Sequence, residues 1–208
     1  MTSSYLLMAL LCRRYQRLER DNSSFEELVG MAGKNSIMLD AEKGEAVARF
    51  GEDHRRMVLI ASEAFVKMTA SLNAFGSAAF TMLYMMGQEK GRFDVLKEME
   101  ALRKQGISFT KRQVLENIVH QLRVTGWGAP RIQKYDEKRG ALTILVENNP
   151  LVVALGAGGK SDRPVCHYFR GFWVGVLSEV FERKVSCAEN KCVGMGDSYC
   201  EFQITGAA

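Results

Sequence analysis

A chain of 208 residues is long enough for one substantial core with an extension, since single domains commonly run to about 200 residues. With 47% apolar residues, 25% charged residues and three prolines, its composition excludes extensive disorder. Its 28 basic and 24 acidic residues give a net charge of +4 spread along the chain, without the concentrated basic footprint of a nucleic-acid binder, so no direct nucleic-acid partner is expected.

The apolar run from Tyr5 to Leu11 is too short to span a bilayer, and Arg13 and Arg14 follow where a signal peptide needs small residues. It reads as a helix whose Leu6, Leu7, Leu10 and Leu11 share one face, suited to packing against a second copy of the chain, so a homodimer is expected. With no secretory signal or membrane span in view, the expected compartment is the cytoplasm, where clustered cysteines bind metal more often than they pair.

After this extension (residues 1–35), a hairpin is expected over Ser36 to Phe50 across a turn containing Gly44, where the core sheet would begin. From His54 to Leu72 the apolar Met57, Ile60, Ala61, Ala64, Phe65 and Met68 fall at helical spacing. Phe75 to Met86 is apolar nearly all round, which predicts a helix buried on several sides and ended by Gly87 and Gly91. Two further helices are expected over Phe93 to Lys104 and Thr110 to Val124, the second capped by Thr110 and closed by Gly126-Trp127-Gly128. A second hairpin follows, Arg131 to Tyr135 and Ala141 to Val146, around a charged turn with Gly140 at the position needing positive φ. This order predicts an α+β domain over residues 36–208, with an antiparallel sheet and packed helices.

The last third carries the chemistry. Asp162 is a candidate cap and Pro164 a first-turn residue for a helix running to Phe181, which places Cys166 near the positive end of the helix, where a thiolate is favoured. Gly171 and Gly175 leave a smooth strip for another element to approach closely. A strand over Lys184 to Glu189 leads through Cys192 and the turn Gly194-Met195-Gly196-Asp197 into a last strand, Tyr199 to Ile204. Alternation turns Cys200, Phe202 and Ile204 to one face, so Cys166, Cys192 and Cys200 can converge as three thiolates, a set suited to Zn²⁺. A fourth ligand is needed, and periodicity leaves Cys187 and Glu189 open as alternatives on the same strand face. Buried free cysteines with a solvated Glu189 are the alternative to a metal site.

Read as Cys-x3-Arg-Gly-Phe-x2-Gly, Glu-x2-Cys and Gly-Asp-x2-Cys-x-Phe, the residues Cys166, Arg170, Gly171, Gly175, Glu189, Cys192, Gly196, Asp197, Cys200 and Phe202 resemble the C-terminal signature of the 4-vinyl-reductase family. The likeness is close over Cys166 to Phe202 and loose from Arg49 to Ile204. That family includes sensory domains of aromatic-responsive activators, archaeal proteins proposed to bind hydrocarbons and a protein of bacteriochlorophyll synthesis, and its fold is distantly related to TRAPP-type vesicle-tethering subunits. The resemblance implies zinc on Cys166, Glu189, Cys192 and Cys200, with Cys187 a bystander. Four protein ligands leave no open position, so the zinc would be a structural clip, with Arg170, Lys184 and Lys191 near enough in sequence to offset its ligands' charge.

The resemblance also implies an apolar ligand pocket containing a histidine and a tryptophan, for which His120 and Trp127 are the candidates, with Phe75, Phe80, Tyr84, Phe169 and Phe172 as lining. The bland alternative is a core-edge histidine and a helix-ending tryptophan. Met82, Met85 and Met86 suit an irregular apolar ligand or plain core filling. The run Ala154 to Ser161 comes near a phosphate-binding loop, but Ala154 replaces its first glycine and the next helix starts too late, so nucleotide binding is not expected. No nucleophile–base set or nicotinamide or flavin fingerprint is present, so the expected function is non-enzymatic: binding or sensing a small apolar or aromatic ligand. The alternatives are a structural or assembly subunit and a tetrapyrrole-related reductase or accessory protein.

Overall fold

The computed structural model describes residues 36–40, 43, 45–50, 53–154 and 161–206. The expected N-terminal extension and most of the loop 156–161 lie outside them. The chain opens with three antiparallel strands, β1 (Ser36–Asp40), β2 (Glu45–Phe50) and β3 (Asp53–Met57), in that spatial order. Helices α1 (Ser62–Ala70), α2 (Ala78–Lys104) and α3 (Lys111–Val124) follow. The hairpin β4 (Ala129–Asp136) and β5 (Ala141–Glu147), a short α4 (Pro150–Ala154), α5 (His167–Phe181), and strands β6 (Val185–Lys191) and β7 (Cys200–Gly206) complete the fold.

The expected α+β architecture is present, but the core sheet is the second one, ordered β4-β5-β7-β6 with every neighbouring pair antiparallel. Its inward side chains, Leu142, Ile144 and Val146 of β5 with Phe202 and Ile204 of β7, are buried with Phe169, Phe172, Trp173, Val176 and Leu177 of α5. On α3 the apolar positions Val114, Leu115, Ile118 and Leu122 follow the helical period and join the same core. Thr110 caps this helix through a reciprocal bond with Gln113, as the sequence suggested.

Three elements depart from expectation. The stretch His54 to Met57 pairs with β2 instead of opening a helix: Arg55 lies opposite Ala48 and His54 opposite Arg49, and the helix begins only at Ser62. Two or three apolar residues at helical spacing do not outweigh a ladder of backbone hydrogen bonds. The helices expected on either side of Gly87 and Gly91 are one helix of 27 residues, and Met82, Met85 and Met86 on it are 37%, 59% and 47% exposed instead of buried. Asp162 does not cap α5, whose N-cap position is Cys166.

Gly87 and Gly91 lie inside α2 because α5 presses on them. A Cβ on Gly87 would lie 1.9 Å from the Tyr168 carbonyl oxygen, and one on Gly91 would lie 2.1 Å from that of Phe172. The contact is reciprocal: Gly171 and Gly175 of α5 meet the Tyr84 and Gln88 carbonyl oxygens of α2 at 1.9 and 2.1 Å by the same measure. Two glycine pairs spaced four apart let the helix backbones touch, and their helix-propensity cost of roughly 1 kcal/mol each is offset by that close packing. We expect Gly171→Ala to force the helices apart and destabilise the protein by about 3 kcal/mol or more, a fall in Tm of roughly 6–12 °C by calorimetry.

Candidate metal site and ligand cavity

Helix α5 delivers Cys166 at its N-cap, β6 delivers Glu189 and then Cys192 just past its end, and β7 delivers Cys200 as its first residue. All four are buried, and one potential ligand atom from each lies within 4.8 Å of the others. The Cys166 sulfur stands 3.9 Å from that of Cys192 and 3.7 Å from that of Cys200. A tetrahedral ion with metal–sulfur bonds of about 2.3 Å would hold its thiolates about 3.8 Å apart, so the spacing fits. Glu189 Oε2 accepts the Cys166 backbone N–H at 3.1 Å, while its buried Oε1 has no hydrogen-bond partner among the described residues. Such an orphaned buried oxygen is costly unless a ligand takes it.

The turn between Cys192 and Cys200 is held from within. Asp197 accepts the Cys192 N–H at 2.8 Å, and Gly196 takes φ 101°, a conformation open chiefly to glycine. Asn149, which sequence reasoning missed, is 1% exposed and donates from Nδ2 toward the Cys166 and Cys200 sulfurs at 3.3 and 3.6 Å. Its Oδ1 accepts the Leu151 N–H. Cys187 lies buried outside the cluster, its thiol pushed up to about 12 by burial, so it stays protonated. Arg170 donates to the Cys187 carbonyl and Lys191 to the Tyr199 hydroxyl, each at about hydrogen-bond distance.

As free side chains the four compete for protons. Hydrogen bonds from Cys166 and Cys200 lower Cys192, so it holds the thiolate charge, and the same bonds raise Cys166 despite its place at a helix start. Four anionic donors are then neutralised only by a cation.

We expect Glu189→Gln to lower the metal content of the purified protein by mass spectrometry and Cys187→Ser to leave it unchanged; the opposite pattern would transfer the fourth ligand to Cys187. Burial also raises Glu189 from 4.5 to about 8. A carboxyl raised on folding contributes stability that is complete below about pH 4.5 and is lost as pH climbs to about 8. A bound cation takes the proton's place and reverses this. The chelated protein should therefore lose Tm between pH 5 and 8, the metal-loaded protein should not, and Glu189→Gln should flatten the slope of the chelated form.

A second feature is a cavity of about 700 Å³. Phe65 of α1, Trp127 and Tyr168 of α5 form its aromatic wall: Trp127 and Tyr168 stack at 5.4 Å, and Phe65 meets both edge-on at 5.9 and 5.5 Å. Strand β3 with Val58, Leu59 and Ile60 forms another side, and residues of α2, α3 and α4 complete it. Of the candidate pocket residues, Trp127 lines this cavity. Phe169 and Phe172 lie behind it in the core, with Phe169 edge-on to Trp127 at 6.0 Å. Phe80 stacks on His167 at 4.6 Å, Tyr84 sits against Gly171, and Phe75 is 60% exposed. His120 is half-buried outside the lining, and burial lowers its pKa. Tyr168 and Phe65 went unrecognised because an apolar residue facing a cavity and one facing the core have the same periodicity.

A four-stranded antiparallel sheet, a glycine-packed helix pair and a Cys-Cys-Cys-Glu cluster together define an α+β fold of the 4-vinyl-reductase and TRAPP-like kind. Residues 142–205 match the model of the 4-vinyl-reductase domain, so the chain carries such a domain, and it includes all four clustered residues. Two uncharacterized proteins of Methanocaldococcus jannaschii are similar to it. One is 29% identical over 76 residues, 34% of this chain and 47% of that protein. The other is 26% identical over 133 residues, 62% of this chain and 66% of that protein. The chain thus spans less than two thirds of the length of either.

Among solved structures, the phenol-responsive sensory domain of the transcription activator PoxR, determined with phenol, superposes with a TM-score of 0.69 at 19% identity, over 82% of this chain and 84% of that one. A trafficking protein particle complex subunit 3 from Naegleria fowleri, covalently bound to palmitic acid, superposes with a TM-score of 0.50 at 19% identity, over 71% and 95%. At these identities the likeness is one of fold. Among the described residues no helix is long and apolar enough to cross a membrane.

Proposed function

We propose that this protein is a non-enzymatic binding or sensor protein that takes a small apolar or aromatic molecule into the cavity beside α5, and that zinc on Cys166, Glu189, Cys192 and Cys200 clips its C-terminal part together. The observation that carries the reading is the cavity itself: about 700 Å³, within the range of small-molecule sites, with three mutually packed aromatic rings on one wall. The fold it shares with a phenol-responsive sensory domain supports the same reading. Three thiolates and one carboxylate suit zinc, and four protein ligands leave it no position for substrate water, so its role is structural. A cytoplasmic homodimer acting on a partner or on its own mate completes the proposal.

Assembly with another protein is the second reading. It is favoured by the exposure of Val58, Leu59, Ile60, Met68 and Phe75, at 50% or more each. Thermal-shift and native mass-spectrometry measurements across a panel of aromatic, lipid and tetrapyrrole compounds separate the two. We expect the aromatic compounds to bind and Trp127→Ala to weaken them about tenfold or more. Absence of binding across the panel would leave assembly as the better reading.

A further inference from the structure

On α3, Gln121 faces the cavity between the apolar Ile118 and Leu122, and it is only 8% exposed. Its amide is oriented by a neighbour. Glu98 of α2, 6% exposed, accepts from Asn117 Nδ2 at 2.8 Å through Oε1 and from Gln121 Nε2 through Oε2. A carboxylate accepting two amide N–H groups requires the nitrogen of Gln121 to face it, which settles which end of the amide is which. Gln121 Oε1 is thereby turned away from Glu98, and among the described residues it has no hydrogen-bond partner. The backbone carbonyl of Gln121 is already occupied by the Thr125 N–H and hydroxyl, so the side chain is what this residue offers the cavity.

Two lysines and an arginine of the lining are engaged in ion pairs: Lys90 with Asp94, Lys97 with Glu100, and Arg56 with Glu45. A lone acceptor oxygen backed by a carboxylate disfavours an anionic ligand and welcomes a hydrogen-bond donor, because a buried acceptor left unpaired is costly. Resting on the binding reading above, we infer that the Glu98–Gln121 pair selects a neutral apolar ligand bearing a hydroxyl or N–H group, which donates to Gln121 Oε1 while the rest of the molecule lies against Phe65, Trp127 and Tyr168. The arrangement has the logic of sites that reject an analogue for lacking one polar group.

Three probes of similar ring size test this on the full-length, metal-loaded protein by isothermal titration calorimetry: 2-naphthol, which donates; 2-methoxynaphthalene, which only accepts; and 2-methylnaphthalene, which does neither. The expected result is 2-naphthol binding about tenfold or more tightly than the other two, with the preference lost in Gln121→Leu and reduced in Glu98→Gln, where the amide is no longer held one way. Equal binding of all three by the unaltered protein overturns the inference and leaves the cavity reading standing. So does a preference for 2-naphthol that survives Gln121→Leu. If none of the three binds, the cavity reading itself fails and this inference with it. The comparison among probes on the unaltered protein decides the matter even if a variant folds poorly.

Discussion

The close contact between α2 and α5 sets the positions of everything functional in this molecule. With Gly87 and Gly91 facing Gly171 and Gly175, the two helices meet backbone to backbone, and neither can rotate or slide without driving a Cα into a carbonyl. The contact fixes α5 against the sheet as well, because α5 is buried on nearly every side, with Trp173 and Val176 wholly inaccessible. One turn before Gly171, the same helix begins with Cys166 in the metal cluster and places Tyr168 in the cavity wall. Cluster and cavity are thus built on neighbouring residues of one immobile helix end.

A second corner ties the two features together. Asn149 reaches two cluster sulfurs with its amide nitrogen and uses its oxygen to hold the Leu151 N–H. Pro150 and Leu151 directly after it line the cavity. Three consecutive residues therefore run from the cluster to the cavity, so the clip braces part of the cavity wall as well as the β6–β7 connection. Amide bonds to the sulfurs also spread the charge that three thiolates and a carboxylate concentrate in a buried place.

What could be read from the sequence follows from how specific each signal is. Cys166, Cys192 and Cys200 were legible because few roles put three cysteines on a helix start and two strand ends, and alternation correctly turned Cys200, Phe202 and Ile204 inward. Glu189 and Cys187 share a strand face, so periodicity could not separate them; what distinguishes them is distance in space, set by the bend that follows β6. Strand β3 was hidden because its residues, Asp53 to Met57, gain their order from pairing with β2 and not from local preference. Gly87 and Gly91 looked like helix ends because the signal for a terminator and the signal for close helix packing are the same residue. The cavity was the least legible feature, since no local pattern marks a space that arises where several elements fail to meet.

Glu98 shows where local reading and global design part company. A carboxylate buried to 6% exposure between two helices is a poor choice for stability, since apolar residues of similar size would avoid the cost of removing it from water. Asn117 and Gln121 offset that cost in part, yet they are themselves polar groups brought into the interior to do so. Three polar side chains in a helix interface that apolar packing would serve better is the kind of inconsistency that folded sequences tolerate at sites of function. Here the inconsistency lies at the cavity edge, and it leaves one amide oxygen, held in one orientation, beside an otherwise apolar wall. The fold gives the cavity its place, but the chemistry of selection rests on this single polar contact.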